Sequence, residues 1–175
     1  KTLGIIGYGR IGQATAYRAH HGFGMDIKVF SRSTVPSAIL AENDANQVHT
    51  LEELIPISDF VSLHCPATAE NRHLIKMNTL KMMKPDAFLI NTARGDLVNE
   101  KDLINALDDG LLAGVGLDVF ESEPTVTPGL IKRSDVLLLP HLGSATIETR
   151  NAMGFRVIEN AVDYFEGKNP KDRVA

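Results

Sequence analysis

The sequence predicts an α/β fold, a doubly wound parallel sheet with helices on both faces. Three observations predict it. Short apolar runs alternate with helical patterns along all 175 residues. Those runs read as nearly unbroken apolar stretches, as strands buried on both sides do. The polar loops fall after the runs, at the carboxyl edge where open parallel sheets bind ligands.

Each element has its own signal. Leu3-Gly4-Ile5-Ile6 is a short buried strand, and Arg10 to His21 carries Ile11, Ala14, Thr15 and Arg18 at helical spacing. Ile27 to Phe30 is the second strand. Pro36 opens a short helix running toward Glu42, and Gln47-Val48-His49 is a third strand. Thr50-Leu51-Glu52-Glu53 fits a capping box and starts a helix that Pro56 limits to about two turns. Phe60 to Leu63 is a strand ending at His64-Cys65-Pro66. Asn78 to Met83 is a short helix stopped before Pro85. Ala87 to Ile90 is the next strand. Asn99 caps a helix from Glu100 to Asp109 that Gly110 ends. Leu112 to Val119 and Val136 to Leu139 are the last strands, and a long helix runs from Ile147 to Phe165, closed by Gly167 and Pro170.

Composition narrows the class. Apolar content of 43% and charged content of 23% suit a globular domain, and the length suits a single domain spanning residues 1–175. No apolar run reaches the roughly 18 residues that cross a bilayer. Eighteen basic against 22 acidic residues give a charge of −4, which argues against a general nucleic-acid surface. The single cysteine, Cys65, forms no internal disulfide and suits a reducing, cytoplasmic compartment. The chain begins inside a strand pattern at Lys1, with no signal peptide to set aside. The working protein is therefore expected to be longer.

Gly7-Tyr8-Gly9-Arg10-Ile11-Gly12 is G-x-G-x-x-G, placed directly after a strand and opening a helix. Gly7 permits the tight turn, Gly9 lets a pyrophosphate approach the backbone, and Gly12 lets helix and strand pack closely. The helix N-terminus offers N–H groups and a positive dipole to phosphate. The alternative is a glycine turn that binds nothing. This context makes the expected fold Rossmann-like. The second strand of such a unit usually ends in the carboxylate that selects NAD. Here it ends in Ser31-Arg32-Ser33. Arg32 can pair with a 2′-phosphate, and the two hydroxyls can donate to it, so NADP is expected to be preferred over NAD. The alternative is a solvated surface arginine.

Six ordered blocks then carry a family resemblance. They are the Gly7–Gly12 loop, His64-Cys65-Pro66-Ala67-Thr68, Asn91-Thr92-Ala93-Arg94-Gly95, Gly116-Leu117-Asp118-Val119-Phe120, Glu121-Ser122-Glu123-Pro124 and Pro140-His141-Leu142-Gly143-Ser144-Ala145-Thr146. Together they resemble the D-isomer-specific 2-hydroxyacid dehydrogenases. The Ser31-Arg32-Ser33 ending is most similar to the glyoxylate/hydroxypyruvate reductase branch, including its 2-ketogluconate reductases.

The resemblance implies a catalytic trio. Arg94 would hold the substrate carboxylate and keto oxygen through a planar guanidinium. His141 would give or take the proton, and Glu123 would orient the imidazole and favour its protonated form. Glu121, two residues away, is a rival for that last role. The resemblance also implies cofactor contacts. Arg10 and Ile11 would flank the pyrophosphate. Cys65, Pro66 and Thr68 would line the adenosine end, with Cys65 a wall residue. Thr92 and Ala93 would approach the nicotinamide ribose. Asp118 would accept from the carboxamide, and Gly143 and Ser144 would flank the ring alongside His141. His64 has a structural or a functional role. His20, His21, His49 and His73 read as surface residues. No cluster has metal-ligand spacing, so no metal is expected.

The same resemblance implies a second, substrate-binding domain that this chain lacks. A fragment of this kind is expected to bind nucleotide and turn over little substrate. It also implies a homodimer built on the nucleotide-binding domain, with Asp96–Ala113 and the last helix as candidate surfaces. Relatives that act as nucleotide-sensing corepressors retain the trio, so the alternative is a binding module of that kind, or a dimerisation module without turnover.

Overall fold

The computed structural model describes residues 1–173. Its strands are β1 (Thr2–Ile6), β2 (Asp26–Phe30), β3 (Ala45–Val48), β4 (Phe60–Leu63), β5 (Phe88–Asn91), β6 (Gly114–Leu117) and β7 (Val136–Leu138). Its α-helices are α1 (Arg10–Phe23), α2 (Ser37–Ala41), α3 (Leu51–Leu54), α4 (Met77–Leu80), α5 (Glu100–Asp108) and α6 (Ile147–Phe165). The chain gathers into two compact units, Lys1–Pro140 and His141–Ala175. The sheet lies in the first, and α6 belongs to the second.

The sheet runs β3-β2-β1-β4-β5-β6-β7, and every pair is parallel. The order reverses between β1 and β4, which makes that pair the switch point where a crevice opens. The register aligns the carboxyl ends. Phe30, Ile6, Leu63, Asn91, Leu117 and Leu138 pair in one row across six strands. Every loop after a strand therefore starts at the same level.

Side-chain alternation puts a core on each face. Leu3 and Ile5 pack with Ala16 and Ala19 of α1 and with Ile27 and Val29 on one side. Ile6 joins Leu54, Val61, Leu63, Leu89 and the α5 residues Leu103, Ala106 and Leu107 on the other. The α1 helix ends in a left-handed Gly24, whose N–H returns to Ala19 and His20 carbonyls. Arg133 grips Asp135 with two N–H groups at 2.9 Å and Asp108 with a third at 2.6 Å, tying the end of α5 to the start of β7.

Several elements differ from the sequence expectation. The β6 strand is four residues long, because Asp118, Val119 and Phe120 have already left the ladder, although they stay buried. The β3 strand begins two residues earlier than its apolar pattern suggests. The α4 helix is displaced toward Met77, where the Thr79 hydroxyl accepts from Lys76 N–H at 2.7 Å. The α3 cap is only half a capping box. Thr50 accepts from Glu53 N–H, but the Glu53 carboxylate accepts from His49 N–H rather than from Thr50.

Two expected outcomes follow. A Cβ on Gly95 would fall 2.0 Å from the Phe120 carbonyl, so Gly95→Ala should lower urea-unfolding stability by about 1–3 kcal/mol. Asp59 accepts from Thr2 N–H at 2.7 Å and from Lys84 Nζ at 3.0 Å, and these bonds hold its carboxyl down to about 2. Its folded value lies below the unfolded one, near 3.9. Its contribution is therefore full above pH ~4 and is lost as pH falls through about 2. Asp59→Asn should lower stability at neutral pH, and the difference from the unmodified chain should vanish toward pH 2.

Candidate active site

The residues expected to hold a nucleotide gather where β1, β2 and β4 finish together. Gly7 leaves β1 at φ +96°, a conformation that only glycine adopts freely, and donates its N–H to Phe30 O at 2.9 Å. A Cβ there would lie 2.7 Å from the backbone of His64 and Cys65. Gly12 passes so close to the Gly7 carbonyl that a Cβ would sit 2.2 Å from its oxygen. Gly9 is the opposite case, because a Cβ added there meets nothing within 4 Å. Two glycines thus close the turn, and the third leaves open space in front of α1.

That helix is left uncapped. Gly9 supplies no side chain, and the first turn holds no acid. By contrast, α3, α5 and α6 are capped by Thr50, Asn99 and Thr146 and carry an acid in the first turn. The first N–H groups of α1 have no partner within the helix. An anion arriving there meets donors and the positive end of the dipole.

A cavity of about 400 Å³ opens beside this turn. Its lining brings together Gly7, Gly9, Ser31, Arg32, Ser33, Cys65, Pro66 and Thr68 from three different loops. All eight are residues that the sequence assigned to a cofactor. The volume falls in the range of ordinary ligand sites. The residues present fit a dinucleotide: open space at Gly9 for phosphate, a guanidinium at Arg32 and two flanking hydroxyls. Arg10 and Ile11 lie exposed in the first turn of α1.

His64 leaves β4 by donating its N–H to Ile6 O at 2.8 Å, and its ring meets Ser62 Oγ at 2.9 Å. Burial pushes the His64 imidazole down and the Cys65 thiol up. Both groups are therefore neutral walls at neutral pH.

The residues expected at the reacting end include those on the loops after β5 and β6. Asn91 closes β5 as a buried amide that folds the next turn. Its Nδ2 donates to Arg94 O at 2.9 Å, and its Oδ1 accepts from Ala93 N–H at 3.1 Å. Thr92 and Arg94 are exposed, and Arg94 Nη1 donates to Ala93 O at 2.6 Å. Asp118 is buried, and its N–H donates to Asn91 O at 3.0 Å.

Glu121 and Glu123, rivals in the sequence, part company here. Glu121 and Glu100 exchange carboxylate-to-backbone hydrogen bonds, each 2.9 Å, and Glu100 is buried. The Thr127 hydroxyl donates to Glu100, and His73 Nε2 meets Glu121 Oε1 at 2.5 Å. Both Glu121 carboxylate oxygens are thus engaged within the protein. His73 is not the surface residue its sequence context suggested, because the Glu121 pair half-buries it. Glu123 is exposed in the same loop, and its Oε1 accepts from Phe120 N–H at 3.1 Å. No sequence signal marked the His73–Glu121–Glu100 clasp, which joins residues 48 and 21 positions apart.

His141, Gly143 and Ser144 lie in the second unit. His141 is exposed with φ +55°, and Leu142 O accepts from Ala145 N–H at 2.9 Å. Thr146 then caps α6 by accepting from Thr149 N–H at 3.2 Å. Among the described residues, no group of three His, Cys, Asp or Glu side chains has metal-site geometry, and no helix is long and apolar enough to cross a membrane.

The comparison with known families fits this geometry. The model of the NAD binding domain of the D-isomer specific 2-hydroxyacid dehydrogenases matches residues 1–143. The chain belongs to this family. It is 48% identical over 174 residues to the glyoxylate reductase of Thermococcus litoralis, covering 99% of this chain and 52% of that one. The D-mandelate dehydrogenase of Rhodotorula graminis superposes with a TM-score of 0.92 at 35% identity, covering 99% and 52%. The NADPH-dependent glyoxylate/hydroxypyruvate reductase of Sinorhizobium meliloti, solved with NADP and malonate, gives a TM-score of 0.87 at 36% identity, covering 94% and 50%. The chain spans about half the length of these family members.

The clasp generates its own prediction. Glu121→Gln keeps the shape but removes the charge facing His73 and weakens the bond to Glu100 N–H. It should lower stability by about 1–3 kcal/mol in urea unfolding. The same substitution at the exposed Glu123 should change stability by less than about 0.5 kcal/mol.

Proposed function

We propose that this chain is the nucleotide-binding and catalytic-residue domain of a reductase. In this reading the whole protein converts a small 2-keto acid, of the glyoxylate, hydroxypyruvate or 2-ketogluconate type, into the D-2-hydroxy acid. NADP is the preferred cofactor, and NAD is the second. The observation that carries the preference is the absence of a carboxylate at the β2 end, with Arg32 between two hydroxyls in the cavity lining. A relative named as NADPH-dependent supports it.

The residues divide the work. The backbone after Gly9 takes the pyrophosphate. Ser31, Arg32 and Ser33 take the 2′-phosphate, with Cys65, Pro66 and Thr68 as the facing wall. Thr92, Ala93, Asp118, Gly143 and Ser144 serve the nicotinamide end. The nicotinamide supplies the hydride when bound. Arg94 holds the substrate carboxylate, staying charged at any working pH. His141 exchanges the proton, since an imidazole serves both directions near neutrality. Glu123 supplies the negative charge that favours imidazolium.

The substrate-binding domain is proposed to lie outside this chain, in keeping with the half-length match. A homodimer formed through the nucleotide-binding domain belongs to the same reading, as does a reducing, cytoplasmic setting for the lone Cys65 thiol.

Calorimetry with NADP and NAD tests the cofactor assignment. NADP should bind more tightly, and Arg32→Asp should weaken NADP about ten- to a hundredfold. Equal affinities in the unmodified chain would remove Arg32 from its role. Steady-state assay with NADPH and glyoxylate should show little turnover by the chain alone. Turnover matching a full-length relative would place the substrate wall within it.

A further inference from the structure

The end of β2 lacks the acid that selects NAD, yet the cavity itself does not lack one. Glu70 also lines it, from the loop after β4. Among the lining residues, Arg32 is the only arginine or lysine and Glu70 the only aspartate or glutamate. His64 also lines the cavity, but burial favours its neutral form. The charged side chains of the lining therefore sum to zero.

Glu70 is held where it stands. The Thr68 hydroxyl donates to its Oε2 at 2.7 Å. Thr68 is itself fixed, because its N–H donates to Asn71 Oδ1 at 2.6 Å and Asn71 Nδ2 donates to Pro66 O at 2.6 Å. The Thr68 bond, a bond from Glu70's own backbone and the more distant Arg32 charge keep the Glu70 carboxyl below its ordinary range. It is an anion at neutral pH.

We propose that Glu70 is a cofactor-specificity residue, a carboxylate on the β4 wall that restrains the NADP preference set by Arg32 and keeps the pocket open to NAD. This rests on the assignment of Arg32 to the 2′-phosphate. A phosphate monoester brings about −1.5 to −2 charges at neutral pH. It is drawn to Arg32 and repelled by Glu70 across the same cavity. NAD brings ribose hydroxyls instead, which a carboxylate can accept from. Removing the Glu70 charge should therefore favour NADP, and removing the Arg32 charge should favour NAD.

Glu70→Gln tests this cleanly, since the amide oxygen still accepts from Thr68 and the loop keeps its shape. Dissociation constants for NADP and NAD are measured by calorimetry for the unmodified chain, Glu70→Gln, Arg32→Gln and the double variant, at low and high salt. Glu70→Gln should raise the NADP-to-NAD affinity ratio about two- to fivefold at low salt, the range of an exposed charge interaction. The gain should shrink when salt shortens the screening length. A purely structural Glu70 would shift both nucleotides alike, without salt dependence. An unchanged ratio in Glu70→Gln, with Arg32→Gln collapsing the ratio, would overturn the role of Glu70 and leave Arg32 in place. An unchanged ratio in Arg32→Gln would overturn the Arg32 assignment, and this inference with it.

Discussion

The carboxyl edge of the sheet depends on backbones approaching closer than a methyl group allows. Gly12 lies against the carbonyl of Gly7, Gly7 against the backbone of His64 and Cys65, and Gly95 against the carbonyl of Phe120. These contacts join β1 to α1, β1 to β4, and the β5 loop to the β6 loop. They convert an aligned row of strand ends into a continuous floor. Without them the loops would stand apart, and the lining of the cavity would not converge.

On that floor, charge is placed with economy. The α1 N-terminus is the one left without a side-chain cap or first-turn acid among the three longest helices, α1, α5 and α6. The acids of the edge are instead used within the protein. Glu100 and Glu121 bond each other's backbone, and Glu121 holds His73. At the opposite edge, Asp59 ties the start of β1 to Lys84. Arg32, Glu70, Arg94 and Glu123 stay exposed, and each is proposed to act toward a ligand. Neutral walls at His64 and Cys65 keep the field of Arg32 and Glu70 from being blurred by a third charge.

Much of this was legible in the sequence, and the reason is local chemistry. The G-x-G-x-x-G turn declares itself because its steric demands act within six residues. Asn99 and Thr50 announce their helices because a cap reaches only three residues ahead. The early exit of β6 was hidden, since Asp118 to Phe120 stay buried after leaving the ladder and so keep a strand-like apolar pattern. The clasp at Glu121 was hidden because its partners are distant in sequence, and His73 beside Arg72 reads as any polar loop. Glu70 was hidden for the same reason. The rule for cofactor choice looks at the end of β2, while this carboxylate arrives from the loop after β4.

The turn after β1, the end of β2 and the loop after β4 are proposed to form one nucleotide site. Titrating the isotopically labelled chain with NADP, while following backbone amide resonances, tests it most directly. Perturbations concentrated at Gly9 to Gly12, Ser31 to Ser33 and Cys65 to Thr68, with the remote Asp108–Arg133 corner silent, are the predicted result. A folded chain whose glycine-turn amides stay unmoved at saturating NADP would contradict it.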